Sequence, residues 1–201
     1  MMNDWMNHLP MSFLRRAVVA AVLGAAMTAG SAAQTPVHSA PSRLDVAVTY
    51  TADRTNPVHG SNQWLNGGSI ELGGHVWGNL EGAAKVTVTT TSSLGSQGVP
   101  LKLAIATFGP RYRMSHNRWS VYGEGLIGVA NGFNSVFPGS TGTTDSASSF
   151  ALQLGGGVDW RATEHFGIRP VEASWLRTQL PNGTTNVQNH FLIGTGAFFR
   201  F

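Results

Sequence analysis

Twelve ionisable side chains fall on matching faces of segments that alternate with period two: Asp45, Glu71, Glu81, Glu124, Asp159 and Glu172 against Lys85, Lys102, Arg111, Arg161, Arg169 and Arg200. Six acids facing six bases can pair across a narrow interior, where any charge left alone is costly to desolvate. A lumen of this make-up is either a gated path for ions or a plug of salt bridges. Eight strands enclose a space only wide enough for side chains, which favours the plug.

Other chemistry finds less support. A hydroxyl nucleophile needs a histidine base within hydrogen-bond reach, but the residue that follows His190 on its own strand face is Leu192. His116 precedes Asn117 and Arg118 in a predicted turn. No catalytic residue is assigned. His75 and His190 fall at different depths of the predicted strands, both inward or at an interface, and the chain has no cysteine. No metal site, disulfide or thiolate centre follows, and no cofactor is implied. The glycines at 67–68, 73–74 and 155–157 precede no helix, so they mark bends or close packing in a curved sheet, not a phosphate loop.

Eight segments can position these residues, at 44–52, 69–77, 81–91, 100–113, 118–131, 148–161, 165–177 and 188–201. A tilted strand crosses a bilayer in about 9–11 residues, and most of the segments are long enough. Connectors at 78–80, 114–117 and 162–164 are tight, whereas 53–68, 92–99, 132–147 and 178–187 are longer and rich in Gly, Ser, Thr, Asn and Pro. Short turns alternating with long loops, both termini on the short side, are what an even-stranded outer-membrane barrel requires.

The faces sort accordingly. Leu44, Val46, Val48 and Tyr50 oppose Asp45, Thr49 and Thr51, and Phe150, Leu152, Leu154, Val158 and Trp160 oppose Gln153, Asp159 and Arg161. A soluble lipocalin-like barrel would turn its apolar face inward and scatter charge outside. Single mid-strand charges confined to one face favour lipid outside and a polar lumen. Trp160, Phe166, Phe199 and Phe201, with Tyr112 and Trp119, fall at the tight-turn strand ends, as an interfacial girdle would. Two strands break parity, each at a proline. A bulge at Gly109-Pro110 is expected to bring Arg111 onto the side of Lys102, Ala104 and Ala106, and a bulge at Pro170 to let Arg169 and Glu172 both face inward.

The N-terminus carries Arg15 and Arg16, an apolar run from Ala17 to about Gly30, then Ser31, Ala32 and Ala33. This pattern predicts a cleavable signal peptide over 1–33, with Met11 as an alternative start. Residues 34–42 read as a flexible leader and 43–201 as the barrel. Two arginines and one aspartate leave with the signal peptide, so 11 Lys plus Arg and 9 Asp plus Glu remain. That balance is too mild to argue for nucleic acid.

Residues 189–201, NHFLIGTGAFFRF, alternate strictly and finish on Phe199 and Phe201. With the FGPRY segment at 108–112 and the long-loop pattern, this resembles the small eight-stranded Gram-negative outer-membrane β-barrels, similar to the transmembrane domain of outer membrane protein A and to outer membrane protein X. The resemblance implies an all-β, eight-stranded antiparallel up-and-down transmembrane barrel. Its surroundings would be outer-membrane lipid and lipopolysaccharide, and the barrel-assembly machinery would read Phe201 and Phe199. It implies a non-enzymatic structural or surface-interaction protein with four extracellular loops, the alternatives being a narrow pore and a lipid A-modifying enzyme. The known lipid A deacylase of this size uses a His and a Ser two residues apart, a pattern missing after His190. Phe133 and Phe137, in the third long connector, are the candidate surface contacts for an extracellular partner.

Deleting Phe201 is expected to lower the amount of assembled barrel while leaving synthesis intact. Quantitative blotting of outer-membrane fractions checks this, and normal abundance of the truncated chain removes the assembly role.

Overall fold

The computed structural model describes residues 44–58, 61–94, 99–139, 142–182 and 185–201; the predicted signal peptide, the leader and Arg43 lie outside the described residues. Eight strands follow in chain order: β1 (Leu44–Val58), β2 (Ser61–Trp77), β3 (Leu80–Leu94), β4 (Val99–His116), β5 (Trp119–Gly139), β6 (Gly142–Arg161), β7 (Phe166–Thr178) and β8 (Gln188–Arg200). Each pairs antiparallel with its neighbours, and β8 returns to β1 through Asp45↔Arg200 to Thr55↔His190, closing the barrel. Closure leaves no open strand edge, so the backbone groups of each strand find partners in the strands on either side, interrupted only locally as at Pro170.

Alternation decides which side chain faces where. Along β1, Asp45, Ala47, Thr49, Thr51, Asp53 and Thr55 are buried inside, while Leu44, Val48 and Tyr50 are exposed. On β3, Lys85, Thr87 and Thr89 point in. The outer surface is apolar, with Phe108 62% and Ile70 57% exposed and Val88, Val121, Ile127, Phe150 and Leu154 about as open. An apolar surface on this scale, wrapped round a polar interior, is built for lipid and not for water.

The strands run further than their apolar stretches predict. Segments 53–68 and 132–147, expected as loops, belong largely to paired strands, as do the described ends of 92–99: Asp53↔Leu65 and Thr55↔Gln63 extend β1–β2, Leu94↔Val99 extends β3–β4, and Phe133↔Ser146 and Phe137↔Thr144 extend β5–β6. Their Gly, Ser, Thr and Asn content fits strand that has left the lipid, where the outer face need not be apolar. The tight turns are as expected, at Gly78–Asn79, Asn117–Arg118 and 162–165. Gly78 and Asn117 there adopt positive φ, of 57° and 55°.

Of the two expected bulges, one is present. Pairing of β7 with β8 shifts register between Arg169 and Glu172, leaving Pro170 and Val171 exposed and both charged residues inside. Between β4 and its neighbours the register is unbroken through Gly109-Pro110. Leu101, Leu103, Ile105, Thr107, Arg111 and Arg113 share the inward face, so Lys102 is exposed on the outside with no bulge required. Ala104 and Ala106 are small and apolar and suit either face of a barrel wall, so alternation there does not fix the parity of β4.

The interior divides by height. Its tight-turn half holds the charges, and its hairpin half holds an apolar cluster of Leu65, Leu101, Leu103, Ile105, Ala130, Phe137, Ala151, Leu176, Leu180 and Leu192. Phe137 is therefore not a surface contact. A register shift between Phe133 and Phe137, with Asn134 at φ 56°, turns the ring inward. It packs over Gly132, where an added Cβ would lie 2.5 Å from the ring. Phe133, before the shift, stays partly exposed.

Phe137→Ala is expected to destabilise the barrel by about 3 kcal/mol, in the range for emptying a buried aromatic site. Phe133→Ala should cost well under half of that. Denaturant unfolding in detergent micelles measures both, and equal costs would contradict the inward turn at Asn134.

Candidate functional site

The charged half of the lumen is assembled from all eight strands. At its centre Lys85 (β3) extends its ammonium between three carboxylates from three other strands: Glu71 (β2) at 3.1 Å, Glu124 (β5) at 3.3 Å, and Glu172 (β7). The carboxylates of Glu71, Glu124 and Glu172 come within 4.8 Å of one another, a spacing that a metal ion could use. Lys85 contacts all three, so its ammonium takes the place of a cation.

Two arginines flank that centre. Arg111 (β4) reaches Glu71 at 2.7 Å and holds Glu124 through Nε at 2.9 Å and through Nη2. Arg169 (β7) spans Glu71 at 3.1 Å, Glu172 at 2.7 Å and Asp159 at 2.7 Å. Towards the tight turns, Arg113 joins Asp159 at 2.6 Å to Glu81 at 2.8 Å, and Arg200 grips Asp45 with two bonds of 2.8 and 2.9 Å. Bidentate guanidinium–carboxylate contacts of this kind are the strong form of ion pair.

Tyr122 fills the space between the guanidiniums. Arg111, Arg169 and Arg113 lie 4.3, 4.6 and 5.3 Å from its ring centre, and its hydroxyl donates to Glu172 at 3.0 Å. Cations over a ring face gain from its quadrupole, and more so away from water. Gly157 makes room, since a Cβ there would sit 2.7 Å from the Tyr122 hydroxyl. The triple glycine is thus a packing device, as its lack of a following helix implied.

All six predicted acids, with Lys85, Arg111, Arg169 and Arg200, enter the network. Lys102 does not, being outside the barrel, and neither does Arg161, which donates to the Asn117 carbonyl at 2.9 Å beside the tight turn. Arg161 shares the parity of Asp159 but is the last residue of β6, below the network at the tight turn. Arg113 and Tyr122 were missed. The signal for both was available, because they share parity with Arg111 and Glu124 respectively on unbroken strands.

A second polar cluster lies in the hairpin half. His190 Nδ1 meets Asp53 at 3.0 Å, and its Nε2 meets Thr178 at 3.3 Å and Thr55 at 3.5 Å. Gln188 accepts from Thr178 and clips Leu180 by two backbone bonds. Acid, imidazole and hydroxyl are ordered as in a charge relay, but the hydroxyls come from β1 and β7, not from the histidine's own strand. Thr178 and Thr55 are 0% and 1% exposed, so no substrate carbonyl reaches them, and the cluster ties three strands together. His75 is exposed at the tight-turn end of β2, the interface alternative of the two expected, and bonds the Gly78 carbonyl.

Glu124→Gln is expected to destabilise the folded barrel by about 3–5 kcal/mol, because Lys85 and Arg111 stay buried with less countercharge. Arg161→Gln should cost less than about 1 kcal/mol, as for an exposed polar contact. Unfolding titrations of both variants decide, and unchanged midpoints for Glu124→Gln would mean a wet lumen.

Neither a family model nor a curated protein matches the chain. Solved structures do. Ail, the attachment invasion locus protein of Yersinia pestis, superposes with a TM-score of 0.56 at 20% identity, over 80% of this chain and 99% of that one. Neisserial surface protein A superposes with a TM-score of 0.60 at 14% identity, over 79% and 97%. At such identities the likeness is one of architecture, and it agrees with the closed eight-strand topology. The chain has the fold of the small eight-stranded β-barrels of the Gram-negative outer membrane.

Proposed function

We propose that the protein is a non-enzymatic outer-membrane barrel that anchors four surface hairpins, with a lumen closed to ions. The observation that carries this reading is the double closure of the interior. Lys85, Arg111, Arg169 and Tyr122 fill the tight-turn half, and Phe137, Leu180 and their neighbours fill the hairpin half. A barrel closed at two levels is a stiff support, and what it supports is the set of connections that leave the lipid, β5–β6 above all. Binding residues tend to sit on such connections, held by a rigid scaffold. Ail has been crystallised in complex with the heparin analogue sucrose octasulfate, an example of this fold taking a ligand.

The long hairpins face the cell exterior in this reading and the tight turns face the periplasm. The chain reaches that position as an exported precursor, through the predicted signal peptide over 1–33 and recognition of Phe199 and Phe201 by the assembly machinery. Phe133 remains the candidate for surface contact, while Phe137 serves the core.

Two measurements test the proposal. In planar bilayers the refolded barrel should give no steady conductance, and regular conducting steps would replace the reading with a pore. In whole cells, added protease should cut at the β5–β6 tip, between Gly139 and Gly142, without unfolding the barrel. Cutting only after the outer membrane is permeabilised would invert the topology. Lipid A from cells with and without the protein should have the same mass spectrum.

A further inference from the structure

Among the described residues, every charged side chain within the lipid-crossing part of the strands turns inward except Arg54, Lys102 and Arg177. All three are basic, exposed on the outer face, and lie towards the hairpin end. The rows of Arg54 and Arg177 hold no exposed acid, whereas Asp145 is exposed on β6 one residue beyond the row of Lys102, Phe133 and Ser146; none of the three bases has an ion-pair partner among the described residues. A basic residue facing mid-bilayer costs about 2–4 kcal/mol, falling to about 0–1 at an interface. Their position relative to the lipid therefore decides what they do.

Height can be read from the register. Trp64, Arg54, Phe191 and Trp175 form one cross-strand row, through Arg54↔Trp64, Arg54↔Phe191 and Trp175↔Phe191. The three aromatic residues of the row are 37–52% exposed. Phe199, in the tight-turn girdle with Phe166, lies further down β8; at ~3.3 Å per residue and a tilt of ~40°, Phe191 is about 20 Å above it. Arg177↔Asn189 is one side-chain step higher, about 25 Å above Phe199, at the far edge of an apolar band of ordinary height. Arg54 and Arg177 stand two strands apart and two residues offset, roughly 12 Å between Cα atoms. Two extended guanidiniums can close on one group between them, directly over Phe191.

We propose that Arg54 and Arg177 form a clamp for a phosphate of an outer-leaflet phosphorylated glycolipid, whose acyl chains lie along the Trp64–Phe191–Trp175 row. Charge complementarity selects the ligand: unpaired guanidiniums at a lipid interface with no nearby acid match an anionic headgroup, and their forked geometry suits phosphate. The aromatic row beneath supplies the apolar contact that a free phosphate could not use. Lys102, on β4 at the opposite wall, would add a separate and weaker point charge. This assignment rests on the proposed orientation with hairpins outward.

The test uses the refolded full-length barrel in phosphatidylcholine nanodiscs doped with bisphosphorylated lipid A or, separately, with phosphatidylglycerol. Native mass spectrometry counts retained lipid, and heat-modified gel mobility confirms folding of each variant. The wild type should retain lipid A, and the Arg54→Gln/Arg177→Gln double variant should lose about tenfold or more in retention, as expected for two charge-assisted contacts. Lys102→Gln should lose much less, and phosphatidylglycerol should be held more weakly than lipid A. Equal retention by the folded double variant overturns the clamp, and preference for phosphatidylglycerol overturns the glycolipid assignment. Failure of the wild-type chain to enter bilayers would instead count against the outer-membrane reading itself.

Discussion

The Lys85 ammonium, held between carboxylates from β2, β5 and β7, is the contact on which the rest of the lumen depends. A long cation buried in the middle of a barrel is tolerable only if acids converge on it from several walls, and those acids then need cations of their own. Arg111 and Arg169 answer that need, and Tyr122 separates their guanidiniums with a ring face. Removing one member leaves others buried and uncompensated, which makes the set cooperative and not a sum of pairs. The lumen is narrow because eight strands make it so, and narrowness is what allows side chains from opposite walls to touch.

The same requirement explains the proline in β7. Arg169 and Glu172 are three residues apart, so on a regular strand one would face lipid. The bulge at Pro170 turns both inward and places the proline where its missing N–H costs the ladder least. Higher in the barrel the filling changes from ionic to apolar, with the Asp53–His190–threonine cluster as a polar inclusion. A charged floor below an apolar cluster fills the interior by two different means. One half is filled with hydrocarbon, and in the other most of the buried charged groups meet a countercharge.

The exterior follows a different rule. Lipid sets the face along the spanning segments, and residues beyond it are free to be Ser, Thr, Gly or Asn. Charge returns to the outer face only at the hairpin end and chiefly as Arg or Lys. The two ends of the wall therefore differ chemically: the tight-turn border mixes Arg118, Glu164 and His165, while the hairpin border carries Arg54, Lys102 and Arg177 with Asp145 as its exposed acid among the described residues. An asymmetric border suits an asymmetric bilayer, and it links the architecture of the wall to the proposed clamp.

Alternation in the sequence, by itself, determined the eight strands, their order, the inward place of six acids and four bases, the aromatic girdle and the bulge at Pro170. Each of these follows from period two and from the cost of putting charge in lipid, both local rules. Only the tertiary structure decided the rest. Lys102 was assigned inward because neighbouring alanines carry no face information, and the true parity of β4 emerges only from its pairing with β3 and β5. Phe137 looked exposed because the turn of backbone at Asn134 that reverses its direction leaves no mark in composition. Arg161 has the right parity but sits at a strand end, and depth along a wall is set by register, not by alternation. The contacts of Lys85 with Glu71, Glu124 and Glu172, and of His190 with Asp53 and two threonines, join strands distant in the chain. Alternation says which residues enter the lumen; closure of the barrel says which of them meet.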